Sequence, residues 1–167
     1  FDQGKIGKSE LNFLEKIISN SIQIVNLENF EIDPKKNVIA ISADHQSTLF
    51  SEAASASFHA DGWQVYSLGD MSSSIDVLFD LDLQKFLTKV WKPGTGIMVI
   101  VVFSSTEESM KFFAESVNSI KLKSRRSLYL AICGDMKKNA EIEADLIDED
   151  LEAILQWSQT TFESSVS

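Results

Sequence analysis

Cysteine and histidine are scarce in this chain, which has one cysteine and two histidines among 167 residues. A single cysteine, Cys133, excludes an internal disulfide framework and any metal cluster held by several thiolates. Because Cys133 falls in an apolar stretch, we expect a buried packing residue rather than a reactive thiol. With only His45 and His59 available and no third ligand clustered with them, a closed metal site built by the protein alone is not expected.

Positive charge is also scarce: 15 Lys and Arg stand against 25 Asp and Glu, for a formal net charge of -10. This balance repels nucleic acid phosphates, and no Lys/Arg stripe offsets it, so direct DNA or RNA binding is not expected. Apolar runs such as residues 96–103 are far too short to span a bilayer, and the start of the chain shows no signal-peptide pattern. We therefore expect a cytoplasmic protein without membrane contacts, and its start at Phe1 suggests a module of a longer chain.

The first residues lack the periodicity of the rest. We expect residues 1–8 to be a disordered lead-in and residues 9–34 to be an N-terminal helical segment, followed by an α/β domain over residues 35–167. Ser9 and Glu10 favour a helix start there. Apolar side chains then recur at helical spacing, at Leu11, Phe13, Leu14, Ile17, Ile18 and Ile22. We expect this helix to bury its apolar side against another part of the protein.

Strands and helices alternate strictly along the α/β domain. Strands are predicted at residues 38–41, 64–67, 96–103, 128–132 and 145–147, and helices at 48–60, 74–91, 106–120 and 149–162. Such alternation predicts a parallel doubly wound sheet, and five strands give the flavodoxin-like order 2-1-3-4-5. Ligands bind beyond the carboxyl ends of the strands in such sheets, so the loops at 43–48, 103–106 and 133–138 are the candidate site.

No catalytic motif appears in the chain. There is no Gly-x-Gly-x-x-Gly after a strand, no phosphate loop and no assembled set of nucleophile, base and acid, so we expect a protein that is not an enzyme. The central strand ends Val101-Val102-Phe103-Ser104, without the aspartate that a phosphoacceptor receiver domain needs. Receiver chemistry is excluded, whereas a non-phosphorylated pseudo-receiver stays open.

Residues 36–69 carry a family resemblance. The strand at 38–41, Gly62-Trp63-x-Val65 and Leu68-Gly69 resemble the first half of a cobalamin-binding domain without a gap. Further along, Ser104-Ser105-Thr106 resembles the turn that lines the nucleotide-tail cavity of that family. The closing landmarks of the family are matched more loosely, by Cys133-Gly134 and by residues 144–149.

The chain departs from the family at its cofactor-binding motif. The family carries Asp-x-His-x-x-Gly after the first strand, with the histidine as the lower axial ligand of cobalt, and the corresponding residues here are His45, Ser47 and Phe50. A hydroxyl is a far poorer cobalt ligand than imidazole, so cobalamin in the base-off, His-on form is disfavoured. Phe50 is expected to crowd the path of the nucleotide tail. Five apolar side chains of the following helical stretch are expected to cover the mouth of the site: Phe79, Leu83, Phe86, Leu87 and Val90.

The resemblance implies a non-catalytic sensory or regulatory module of a bacterial signalling or transcription-control protein, similar to the haem-binding variants of the fold. Any tetrapyrrole, haem or cobalamin, would contact His45, Ser47, Ser104, Ser105 and Gly134, with His45 as the metal ligand. His45 can equally be a solvated loop residue. The expected partners are other protein domains of the system, and a homodimer is an option. Two alternatives remain: a tetrapyrrole or corrinoid carrier serving a partner enzyme, and a degenerate domain that binds only protein.

Overall fold

The computed structural model describes residues 8–26, 29–75, 78–92, 94–124, 127–135 and 141–167. The strands are β1 (Asp33–Ser42), β2 (Trp63–Asp70), β3 (Ile97–Phe103), β4 (Leu128–Cys133) and β5 (Leu146–Asp148). The helices are α1 (Lys8–Asn26), α2 (Thr48–Ala60), α3 (Phe79–Val90), α4 (Glu107–Lys123) and α5 (Leu151–Val166). Apart from Lys8, the predicted lead-in lies outside the described residues.

All strand pairs are parallel and the sheet order is β2-β1-β3-β4-β5, which confirms the predicted flavodoxin-like fold with an added N-terminal helix. The centre of the sheet is β3, paired with β1 on one side and with β4 on the other. Every residue of β3 is buried. Because both faces of this strand are covered, neither set of alternating side chains needs to be polar, and the sequence is a continuous apolar run.

The two faces of the sheet have separate cores. Alternate side chains of β1 and β3 point to opposite faces, so Ile39 joins the core beneath α3 and α4 while Val38 joins the core beneath α2 and α5. The first core includes Leu83, Leu87 and Phe113, and the second includes Phe58, Trp63, Ile154 and Phe162. The result is a three-layer sandwich whose carboxyl strand ends meet at one edge.

Several element boundaries differ from the predicted ones: β2 extends to Asp70, α4 to Lys123 and α5 to Val166. β1 begins at Asp33, ahead of Pro34 and five residues before the predicted strand at 38–41. The register with β2 jumps from the pair Asp33 and Trp63 to the pair Asn37 and Gln64, and this irregularity accommodates a proline that has no N–H to donate. β5 is displaced by one residue from the predicted segment, to Leu146–Asp148.

The predicted long helix at 74–91 is wrong in its first turn. A short 3-10 turn at Ser72–Ser74 precedes α3, which begins only at Phe79; residues 76 and 77 lie outside the described residues. The Asp70 side chain accepts a hydrogen bond from the backbone N–H of Ser72, and such local bonds compete with helix.

The apolar side chains of α3 were expected to cover the mouth of the site, but they pack into the core instead. Phe79, Leu83 and Leu87 are buried in the core, and Phe86 and Val90 pack against it. The hydrophobic spacing of an amphipathic helix is satisfied by the sheet beneath it. Within the described residues, no helix combines the length and the apolar character needed to cross a membrane.

Candidate functional site at the carboxyl edge of the sheet

The carboxyl edge brings together the loops that follow β1, β3 and β4. Asp44, two residues after β1, stands at the centre of this edge. Its Oδ1 atom accepts hydrogen bonds from the backbone N–H of Ser47 at 2.9 Å and from the Ser47 hydroxyl at 2.8 Å. These bonds cap a 3-10 turn at His45–Ser47 that leads directly into α2.

The second carboxylate oxygen of Asp44 reaches across to the loop after β3. Oδ2 accepts a hydrogen bond from the backbone N–H of Ser105 at 2.7 Å and a longer one from the Ser104 hydroxyl at 3.3 Å. Backbone pairing continues beside it, since the Ala43 N–H donates to the Phe103 carbonyl at 2.8 Å. One carboxylate therefore ties the loop after β1 to the loop after β3.

The environment of Asp44 favours its ionised form. Partial burial raises the pKa of this carboxyl, but the hydrogen bonds from Ser105 and Ser47 outweigh burial and hold the pKa below its ordinary value. Asp44 is thus an anion at neutral pH. Its negative charge strengthens the bonds that it accepts.

Ser47 occupies the position of the axial ligand in the family motif. Its side chain is buried, and its hydroxyl proton is used to bind Asp44. The side chain closes its own loop instead of presenting a donor atom to a metal. The structure therefore brings three of the predicted site residues, Ser47, Ser104 and Ser105, onto one carboxylate.

Gly134 sits against the same loops for a packing reason. The Ser104 N–H donates to the Cys133 carbonyl at 3.1 Å, which draws the loop after β3 over Gly134. A Cβ atom at Gly134 would lie 2.4 Å from the Ser104 carbonyl oxygen and 2.3 Å from the Met110 side chain. Glycine is needed here because two backbones approach closely, whatever else the position does.

His45 is placed differently from the serines. Its side chain is 91% exposed, and its Nδ1 atom lies 3.8 Å from Oδ2 of Asp70 at the end of β2. The pKa of Asp70 is lowered chiefly by the hydrogen bond from the Ser72 backbone N–H, with a further contribution from the charge of His45. His45 is an accessible imidazole with a carboxylate near one ring nitrogen but beyond hydrogen-bond distance; a closer contact of this kind commonly orients a metal-ligating histidine.

A groove opens next to His45, between α1 and the start of α2, with a volume of about 730 Å³. Its walls are lined by Asn12, Glu15, Lys16 and Ser19 of α1 and by His45, Gln46, Thr48, Leu49 and Glu52. No three His, Cys, Asp or Glu side chains converge as a metal site among the described residues. A metal at His45 would thus need its other ligands from a cofactor, such as a tetrapyrrole ring.

Phe50 does not crowd the interior, and its predicted role in blocking the tail path is wrong. It is 63% exposed, because the face of α2 that meets the sheet is formed by Ser51, Ala54, Ser55 and Phe58. The small side chains of Ser51, Ala54 and Ser55 let α2 lie close to the sheet.

The interior on the α2 and α5 face is filled by other rings. Phe58 contacts Trp63 edge to face with centroids 5.4 Å apart, and Trp63 meets Phe162 at 6.2 Å. Phe103, at the end of β3, is buried in the same cluster. A buried nucleotide tail does not fit this packed interior without displacing these side chains.

Comparisons with known proteins are informative only at the level of structure. No family model and no curated protein sequence matches the chain. A crystal structure described as a novel cobalamin-binding protein from Desulfitobacterium hafniense DCB-2 superimposes with a TM-score of 0.55, covering 96% of this chain and 74% of that one at 15% sequence identity. The likeness shows a shared fold. It agrees with the resemblance carried by residues 36–69 and leaves the ligand open.

Proposed function

We propose that this chain is a non-catalytic regulatory module, acting as a sensor or protein-interaction unit in a bacterial signalling or transcription-control system. In this proposal the module keeps the cobalamin-binding-like fold but not the buried mode of cofactor binding. The observation that carries it is the Asp44 carboxylate, which joins the loop after β1 to the Ser104 and Ser105 turn after β3.

The position of this link supports the proposal. By resemblance to the family, a nucleotide tail would pass the loop after β1 and the serine turn after β3. Here two of the four hydrogen bonds to Asp44 cross between those loops, from the Ser104 hydroxyl and the Ser105 N–H, and the other two hold the turn at Ser47. A hydrogen bond to a charged group contributes roughly 1.5–3 kcal/mol when buried and less at a partly exposed residue such as Asp44. Opening the path would break the two crossing bonds and also disturb the ring cluster of Phe58, Trp63 and Phe162. A module of this kind is suited to contacts at its surface.

A second candidate function rests on His45. Its imidazole is 91% exposed at the carboxyl edge of the sheet, with Asp70 beside Nδ1. That geometry favours a tetrapyrrole held against the outside of the edge, with His45 as the axial ligand and no buried tail. The chain would then be a haem or corrinoid carrier serving a partner enzyme, or a sensor that reads the state of the bound metal.

Absorption titrations with hydroxocobalamin and with haemin separate the two candidates. The regulatory module without a tetrapyrrole leaves both spectra unchanged by added protein. The second candidate shifts the haemin Soret band, and His45→Ala removes the shift while the matched variant His59→Ala keeps it. His59 is a suitable control because its ring packs edge to face on Phe30, away from Asp70. A tight cobalamin complex in which a protein imidazole displaces the benzimidazole would contradict the first candidate, and its loss in His45→Ala would assign it to the second.

A further inference from the structure

The helix α1 meets the rest of the protein through its polar side. Asn12, Glu15, Lys16 and Ser19 line the groove that α1 forms with α2. The Ser19 hydroxyl donates a 2.7 Å hydrogen bond to Glu52 of α2. An amphipathic helix on a globular domain usually turns its apolar stripe toward the core, so this orientation is the reverse of the normal one.

The opposite side of α1 is apolar and exposed. Leu11, Leu14 and Ile18 follow the i, i+3, i+7 spacing of one helical face, and Phe13 and Ile17 widen it. Their exposed fractions are Leu11 38%, Phe13 64%, Leu14 42%, Ile17 44% and Ile18 46%. Isolated exposed apolar residues are ordinary, but five on one face of one helix form a continuous patch of the kind that marks an interaction site.

The distribution of charge along the chain indicates which kind of partner covers this patch. The segment Lys8–Asn26 contains two lysines and two glutamates and is therefore neutral, whereas the whole chain carries -10. All of the net negative charge thus lies outside α1. Acidic surfaces of two copies repel each other, whereas the neutral helix α1 adds no net repulsion. Helices α3 and α4 are neutral too, but each has a single exposed large apolar side chain, Leu81 or Leu122, against five on α1. A basic partner would instead favour the acidic remainder of the surface.

We propose that the apolar face of α1 is a homodimer interface, in which α1 packs antiparallel against α1 of a second copy. Identical apolar faces are self-complementary about a two-fold axis, and antiparallel helices place the positive end of each dipole beside the negative end of the other. The inference is independent of tetrapyrrole binding.

The size of the patch sets the expected strength. Five partly exposed apolar side chains offer on the order of 400 Å² per copy, against about 800 Å² per partner in a standard stable interface. Helix α1 supplies about half of what a tight dimer needs. The dimer is therefore expected to dissociate on dilution.

Sedimentation equilibrium of the purified chain over a wide concentration range tests the proposal. The wild type is expected to shift from monomer to dimer as concentration rises, and the double variant Leu14→Glu/Ile18→Glu to stay monomeric. Leu122→Glu is the matched control, since Leu122 is 90% exposed on α4 and its substitution leaves the dimer intact. A wild type that is monomeric throughout, or a double variant that still dimerises, overturns the proposal.

A second measurement covers the case in which two added charges unfold α1. Single cysteines are introduced in turn at Leu11, Leu14 and Ile18, in a background where the native cysteine is replaced by Cys133→Ala. Mild oxidation is expected to give disulfide-linked dimers for at least one position, and none for Leu122→Cys in the same background. Failure of all three α1 positions to cross-link overturns the antiparallel arrangement.

Discussion

Asp44 and Ser105 are joined across the carboxyl edge of the sheet, with Oδ2 of Asp44 2.7 Å from the backbone nitrogen of Ser105. The two residues are 61 positions apart in the chain, yet they meet because β1 and β3 are neighbours in the parallel sheet. The same carboxylate also caps the 3-10 turn that contains Ser47. A single ionised side chain thus shapes both loops where a ligand of this fold is expected.

Replacing Asp44 with asparagine should destabilise the protein. Asp44→Asn keeps the size of the side chain but removes the charge, and its amide group presents N–H where backbone and hydroxyl donors already point. We expect a loss of about 1–2 kcal/mol, below the full value for buried charged bonds because Asp44 is partly exposed to solvent. Urea unfolding measures the change. Asp135→Asn, at an exposed aspartate of the same edge, is the control and should stay within about 0.5 kcal/mol of wild type.

The contribution of Asp44 should depend on pH with a defined sign. Its pKa is lower in the folded protein than in the unfolded chain, so the folded state holds the proton less tightly. The stabilisation is complete above the unfolded pKa of about 3.9 and is lost as pH falls through the folded value. The difference in unfolding free energy between wild type and Asp44→Asn should therefore be constant from pH 7 to about pH 5 and shrink below pH 4. A difference that grows on acidification would contradict the assignment.

The thiol of Cys133 should be inert in the native protein. Burial, together with the negative charges of Asp148 and Asp150, raises its pKa to about 11. Since the thiolate is the reactive species, labelling by a disulfide reagent at pH 8 is expected to be limited by unfolding and to become fast in denaturant. Rapid labelling of the native protein at pH 8 would show that β4 is open to solvent at its end.

Gly134→Ala should be costly although it adds only one methyl group. The new Cβ would overlap the backbone carbonyl of Ser104. That carbonyl cannot move away without loss of the hydrogen bond between the Ser104 hydroxyl and Asp44. We expect a loss of about 1–3 kcal/mol in thermal or urea unfolding. If stability is unchanged, the loops after β3 and β4 are farther apart than the structure places them.

The sheet was predictable from sequence because its strands and helices differ in hydrophobic period. The apolar run of β3 and the boundaries of α2 follow from local pattern alone. The outward direction of Phe50 could also have been read from helical periodicity, since Ser51, Ala54, Ser55 and Phe58 share the face that meets the sheet. The family resemblance places Phe50 beside the tail path, whereas helical periodicity places it on the outer face of α2.

Other features depend on tertiary structure and have no local signal. The spacing of Asp44 and Ser47 suits a capped turn, but nothing near Asp44 in the chain indicates its bonds to the loop after β3. The start of β1 was missed because a register irregularity makes room for Pro34. The docking of α1 by its polar side depends on Glu52 of α2, whereas the sequence pattern alone would place its apolar side inward.

Electron paramagnetic resonance of the chain with cob(II)alamin tests most directly the central claim, that this module does not ligate cobalamin through a protein imidazole. A nitrogen ligand splits the cobalt signal, and replacing ¹⁴N by ¹⁵N in that ligand changes a triplet into a doublet. With uniformly ¹⁵N-labelled protein, we expect the triplet of cobalamin that keeps its own benzimidazole, unchanged by the label. The reason is that the Ser47 hydroxyl donates to Asp44, and Asp44 also accepts a hydrogen bond from Ser105 in the loop after β3. A doublet that appears only with labelled protein and disappears in His45→Ala would prove ligation by His45, contradict the proposed regulatory module without a tetrapyrrole and favour the second candidate.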